Sequence, residues 1–386
     1  MDKFIEMNIF NPNRRKFLTQ SAVILTSNFL PTLSYSQIDN SKENSKMKLI
    51  CVEEHVLDPA IAKATMPQVL QQAPYLSHWG KRVQDGNNAD HSRPQIEKND
   101  LINPKGMEFD VKRLADMDLA NIDMQVLSVG GFPQFAPLEL HQQANDKLAA
   151  AIKKYPNHFA AMATLPWAEP EQAVAELERA VKELGLRGAL LNGRPSDDFL
   201  DHPRYEKLLA KFDELNVPLY LHPGIPVPAV QQAYYSGFDN EVTARLSMFG
   251  WGWHNEAGIH LLRLMLSGAF DRYPNLQVIS GHWGEMLPFY LQRLDDSLPQ
   301  VATGLKRSLI DTFKQQVFVS PSGMLTQPHF QFIYDLVGAE RILFSVDYPY
   351  QTLDGVRDFL ENLPISQAEK ELIAYKNAEK LFGIKA

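Results

Sequence analysis

From Met47 onward, short apolar runs alternate with longer stretches in which apolar residues recur every three or four positions. The short runs predict strands at 49–53, 124–128, 160–164, 188–191, 218–221, 277–280, 317–320 and 342–345. Between them, "EQAVAELERAVKEL" (171–184), "RYEKLLAKFDEL" (204–215) and "GIHLLRLMLSGAF" (258–270) carry the helical period. Eight strands, each followed by a helix, predict an α/β fold closed as a (β/α)8 TIM barrel with insertions. A doubly wound sheet would call for a Gly-rich phosphate loop after the first strand, and none follows "CVEEHV". The longest irregular stretch, about 56–107, is rich in Pro, Asn, Asp and His and sits in the first strand-to-helix connection, where a lid or binding loop is expected.

Composition narrows the function classes. The chain has 386 residues, 45% hydrophobic and 22% charged, which is globular rather than disordered. Its formal charge of -8 comes from dispersed acids with no basic stripe, so nucleic acid is not an expected partner and a small molecule is. Cys51 is the only cysteine; no intramolecular disulfide can form, and its apolar run "MKLICV" reads it as a small buried hydrophobe. At the amino terminus, "NRRKFL" precedes the moderately apolar "SAVILTSNFLPTL" and the small residues of "SYS", which predicts a twin-arginine export signal at 1–36 and a periplasmic protein. A polar linker at 37–46 then leads into one domain at 47–386. No run approaches the roughly 20 apolar residues a membrane span requires.

Candidate chemistry gathers at strand ends. Glu53 and His55 stand two apart in "VEEHV", so the strand period puts them on one face with Glu54 opposite. His222 ends "PLYLH", His282 ends "VISGH" with Glu285 three residues on, and Asp347 ends "ILFSVD". A barrel of this kind places its active site where its strands end, so these groups are expected to converge. Carboxylates and imidazoles without thiolate suit one divalent ion, Zn or Mn, with coordination positions left open.

These motifs, with "LLRLMLSGAFDRYPNLQVISGHWGEMLPF", "RILFSVDYP" and "KNAEKLFGI", resemble the amidohydrolase-related decarboxylases, a family that includes γ-resorcylate, 2,3-dihydroxybenzoate and 5-carboxyvanillate decarboxylases. The resemblance runs nearly the length of the mature chain and implies a metal-dependent hydrolase-like barrel. It implies metal binding by Glu53, His55, His222 and Asp347, catalytic roles for His282 and Glu285 beside the metal, and Asp347 as the acid that protonates the ring carbon. It also implies non-oxidative loss of CO2 from an ortho-hydroxybenzoate, the work of a carboxy-lyase. Glu53-x-His55 is the decarboxylase-like form of the first motif, where hydrolytic relatives carry His-x-His. The alternative on the same barrel is metal-dependent hydrolysis of a lactone, ester or amide with Asp347 as base; a non-catalytic metal-binding protein is a third reading. Arg293 matches an arginine that in relatives reaches a neighbouring subunit's site, which implies a homo-dimer or homo-tetramer. Trp253, with Trp251 and His254, is a candidate wall for the substrate ring, ordinary aromatic packing being the other reading. His260 and Arg263 share a helix face and read as structural. Gly224 departs from the γ-resorcylate decarboxylases, which tend to carry a bulkier polar residue after "LHP", and an export signal is unexpected among them.

Overall fold

The computed structural model describes residues 46–86 and 90–384. The export-signal reading at 1–36 lies outside these residues, as does the linker apart from Lys46. Met47–Ala386 forms one compact unit.

Among the described residues, seven strands run parallel in two sets. β1 (Ile50–Val56), β2 (Met124–Val129) and β3 (Phe159–Ala161) pair in that order, as do β4 (Ala189–Asn192), β5 (Leu219–His222), β6 (Val278–Ser280) and β7 (Val317–Val319). A parallel bridge from Ala163 to Ala189 joins the sets, and another from Val319 to Ile342 continues the ring beyond β7. Leu343 then donates its N–H to the Val319 carbonyl and Val52 donates to the Phe344 carbonyl, both at 2.9 Å, so the segment after Ile342 lies between β7 and β1 and the sheet closes into a TIM barrel. The predicted eighth strand is therefore in place without a regular ladder. Side chains take its backbone partners: Val346 donates to Oε1 of Glu54 at 3.0 Å, and Oγ of Ser345 accepts from Ser322 N–H at 2.8 Å.

Period two sorts the strand residues into two apolar layers. Ile50, Val52, Met124, Val126, Leu190, Tyr220, Ile279, Phe318 and Leu343 fill the barrel interior. Cys51, Leu127, Leu191, Leu221, Val278, Val319 and Phe344 face the helices. Counting on by twos from the interior set brings Asn192, His222, Ser320 and Asp347 to the mouth. In β1 the same count from Ile50 and Val52 would bring Glu54 inward. The pairing of β1 with β2 slips between Cys51 and Glu54, and this irregularity turns Glu53 and His55 to the mouth instead. Glu54 goes outward, held by Gln125 at 3.3 Å, with the buried Arg113 bonded to Gln125 at 3.0 Å.

The first connection is more ordered than its composition suggests. Helices Pro59–Gln72 and Asn99–Met107 occupy its two ends. The first begins where Oδ1 of Asp58 accepts from the N–H groups of Ala60 and Ile61, at 2.8 and 3.2 Å, with Pro59 at the first helical position. Short helical signals at polar residues were masked there by the density of Pro and Asn.

Candidate metal and active site

Glu53, His55, His222 and Asp347 meet at the mouth, with one donor atom of each lying within 4.8 Å of all the others. His55 Nε2 stands 3.2 Å from Asp347 Oδ1, and His222 Nε2 stands 3.5 Å from Glu53 Oε1. Donors bound to one ion at about 2.0–2.2 Å stand roughly 3.0–3.5 Å apart, so these spacings are those of a shared coordination shell. Glu53 Oε1, His55 Nε2 and Asp347 Oδ1 are buried with no hydrogen-bond partner. Three orphaned lone-pair atoms facing one point is costly unless a cation takes them, and carboxylate oxygen with imidazole nitrogen fits a divalent transition ion.

The remaining atoms of these groups are held from behind. Nδ1 of His55 bonds Ser128 Oγ at 3.0 Å, and Nδ1 of His222 donates to the Pro223 carbonyl at 2.8 Å. Each ring thereby keeps Nε2 for the centre. Oε2 of Glu53 accepts from Tyr220 Oη at 2.5 Å, from Ser345 Oγ at 3.3 Å and from Ser322 Oγ. Burial pushes the Glu53 carboxyl up from its ordinary range, an effect the charge of His282 opposes. Burial also pushes His222 well down, as do the neighbouring His55 and His282, which leaves its ring neutral and able to ligate. Gly281 lines the cradle: a Cβ there would come within 2.7 Å of Ser322 Oγ and 2.8 Å of Tyr220 Oη.

Beside this group stands a carboxylate shared by two imidazoles. Glu285 Oε1 is 2.7 Å from His282 Nδ1, and its Oε2 is 2.8 Å from His254 Nδ1. The His254 and His282 rings meet at 4.4 Å between centroids. Burial alone would lower the pKa of His282, but the Glu285 charge and hydrogen bond, with Glu53 and Asp347 near, raise it to about 9. Burial would raise Glu285; the two histidines outweigh it and hold the carboxyl low. His282 Nε2 faces Asp347 Oδ2 at 4.0 Å. His282, Glu285, Ser322 and Asp347 all adopt positive φ, at 47°, 54°, 48° and 69°. Each such residue costs on the order of 1–3 kcal/mol and persists where the surroundings over-determine it, as around a working site.

A cavity of about 200 Å³ opens over this floor, with His222, His254, His282, Asp347 and Trp253 on its lining. Trp253 thus lies at the cavity, where its ring meets His222 at 6.5 Å. Arg293 does not: it is exposed on helix Leu287–Ser297 and is absent from the lining. Trp251 is 49% exposed. His260 accepts from Leu200 N–H at 3.0 Å, away from the cavity. Cys51 is fully buried, which pushes its thiol well up and leaves it unreactive. Gly224 has a packing reason: a Cβ would fall 2.3 Å from the Cα of Gly193, so any side chain there would displace the turn after β4. The hydroxyl cradle of Tyr220, Ser322 and Ser345, and the partnership of His254 with Glu285, went unread in the sequence. Tyr220 carried a signal, since it sits two residues before His222 on the same strand face.

Residues 75–384 match the family described as amidohydrolase. A γ-resorcylate decarboxylase of Polaromonas sp. is 36% identical over 296 residues, 72% of this chain and 88% of that protein. Among solved structures, a dihydroxybenzoic acid decarboxylase from Polaromonas sp., with bound manganese and the inhibitor 2-nitroresorcinol, is 30% identical with a TM-score of 0.73, covering 88% of this chain and 98% of that one. A 5-carboxyvanillate decarboxylase from Novosphingobium aromaticivorans, complexed with manganese and 4-hydroxy-3-methoxy-5-nitrobenzoic acid, is 28% identical with a TM-score of 0.74, covering 87% and 96%. No helix among the described residues is long and apolar enough to cross a membrane.

Proposed function

Because the chain belongs to the amidohydrolase family and its relatives include decarboxylases of aromatic acids, we propose that it is a carboxy-lyase. Its reaction is the metal-dependent, non-oxidative loss of CO2 from an aromatic acid with a hydroxyl ortho to the carboxylate. The observation that carries this reading is the set of buried, unpartnered donor atoms of Glu53, His55 and Asp347 meeting His222 at the floor of a ring-sized cavity.

Glu53, His55, His222 and Asp347 would hold one divalent ion, manganese or zinc. When bound, that ion offsets the charge on the acid's carboxylate and phenolate oxygens and fixes their orientation. Asp347 divides its labour: Oδ1 belongs to the donor group, while Oδ2 faces His282. Protonated Asp347 gives its proton to the ring carbon that bears the carboxylate, using a ring electron pair to form the C–H bond. The bond to the carboxylate then breaks, its electron pair restores the aromatic ring, and CO2 leaves. His282, oriented through Nδ1 by Glu285, presents Nε2 to the cavity, where its N–H donates to the phenolic oxygen. Trp253 supplies part of the ring wall.

The amino-terminal segment supports export by the twin-arginine route to the periplasm, and the resemblance around Arg293 supports a homo-dimer or homo-tetramer. The deciding experiment incubates metal-loaded protein with a panel of ortho-hydroxybenzoates and follows CO2, with metal content measured on the same sample. CO2 from at least one acid, dependent on metal, is expected. No CO2 from the panel, together with hydrolysis of lactones or esters, would move the assignment to a hydrolase.

A further inference from the structure

A second cavity, of about 170 Å³, lies beside the catalytic one at the same end of the barrel. Three connections build both. After β2, Phe132 lines the catalytic cavity and Gln134 the second; after β4, Asn192 and Arg194 divide in the same way, as do Pro223 and Ile225 after β5. The residues between, Gly193 and Gly224, pack backbone to backbone, since a Cβ on Gly193 would fall 2.8 Å from the Cα of Gly224. No residue lines both cavities.

The second cavity is rich in amides. Gln68 and Gln72 stand one turn apart near the end of helix Pro59–Gln72, and Gln134 sits in the single turn Pro133–Phe135. Gln134 is only 5% exposed, yet its Oε1 has no hydrogen-bond partner among the described residues. A buried acceptor left bare is costly, so a donor is expected to meet it. Arg194 is already engaged. Its Nε donates to Glu256, its Nη1 donates to the Asp197 carbonyl at 3.1 Å, and its guanidinium lies 3.8 Å over the Phe199 ring. Phe135 and Ile225 supply apolar surface.

Charge selects against an ion here. Glu256 answers Arg194, and the other charged lining residue, Asp197, is an exposed acid. Gln134 and Ala168 also line a neighbouring cavity of about 350 Å³, whose further charged residues are Glu139 and Glu169. An anion would meet acids on both sides with the one cation already paired. A cation would find in the cavity only Asp197, which water screens. Side-chain amides both donate and accept, as hydroxyls do, and the C–H surface between hydroxyls suits Phe135 and Ile225. A cavity of about 150 Å³ holds one benzene ring, and here Gln68 and Asp197 are exposed, which leaves the rim open to ring substituents. We propose that this cavity binds a neutral polyhydroxyl compound of one-ring size, a monosaccharide or a cyclitol. One hydroxyl donates to Gln134 Oε1 and others meet the amides of Gln68 and Gln72.

The test uses the full chain loaded with Mn²⁺. D-xylose, D-glucose and myo-inositol are titrated in and followed by calorimetry, with inorganic phosphate and putrescine as charged counterparts. Saturable binding of at least one polyol is expected, equal in metal-loaded and chelator-treated protein, because this cavity holds none of the donor group. Gln134→Leu keeps the bulk and removes the amide; it is expected to weaken that binding about tenfold or more, and Gln72→Ala about threefold or more. If Gln134→Leu fails to fold, Gln72→Ala decides. Binding of no polyol, which would leave only water on Gln134, overturns the proposal. Phosphate or putrescine bound in place of the polyols overturns it too, as does polyol binding that both variants retain undiminished. Binding that appears only with metal would put the polyol in the catalytic cavity and has the same force.

Discussion

Asp347 Oδ1 lies 3.2 Å from His55 Nε2, and neither buried atom has a hydrogen-bond partner. Two lone pairs facing each other across that gap favour a cation between them. Loading the protein with Mn²⁺ or Zn²⁺ is therefore expected to stabilise it by about 2.7 kcal/mol at a hundredfold excess over Kd. Chelator should reverse the shift, and His222→Ala should abolish stoichiometric metal. Thermal melts with elemental analysis check this; an unchanged melting temperature and no bound metal would refute the shared ion.

Tyr220 Oη donates to Glu53 Oε2 at 2.5 Å and shares a hydrogen bond with Ser320 Oγ at 2.9 Å. Removing the hydroxyl keeps the ring and frees a ligand carboxylate to rotate. Tyr220→Phe is expected to weaken metal affinity roughly 10–100-fold, read by competition with a metallochromic chelator. Unaltered affinity would mean that the Tyr220 hydroxyl plays no part in holding Glu53.

Asp347→Asn conserves shape and one ligating oxygen but cannot deliver the proton. Turnover is expected to fall about 10²–10⁴-fold with metal still bound. Wild-type kcat in a metal-replete variant would remove Asp347 from the acid role.

Glu285 bonds both His282 and His254. Glu285→Gln removes the charge that holds His282 up at about 9, so the imidazole pKa is expected to move down. His254→Ala strands Oε2 of Glu285 and is expected to destabilise the fold by about 1–3 kcal/mol. NMR titration of labelled histidine checks the first and chemical denaturation the second; an immobile His282 resonance in Glu285→Gln would disconnect the pair.

Burial lowers His260 to about 3 and His141 to about 4. Both rings are neutral in the folded chain, whereas in the unfolded chain they take up protons as pH falls below about 6.5. Stability is thus full above that pH and drains away as pH drops towards the folded values, by up to roughly 5 kcal/mol for His260. Denaturant midpoints at pH 7 and pH 4.5 should separate, and His260→Gln should narrow the separation; equal separations in both proteins would show that His260 contributes nothing to it.

Local pattern alone determined where the strands run and which polar residues end them. Apolar alternation marked the strand positions, and His222 and Asp347 could be placed at the mouth because side-chain period is a property of the strand itself; His282 follows β6 out of that phase and at positive φ. The pairing of Glu53 with His55 on one face was legible for the same reason. Which face that was depended on the slip between Cys51 and Glu54, set by how β1 pairs with β2. Tertiary closure also decided that Ser322, Ser345 and Tyr220 would converge on one oxygen of Glu53, and that His254 would meet Glu285. These contacts join segments far apart in the chain, and their geometry follows from the stagger and tilt of a closed sheet, which no short stretch of residues contains.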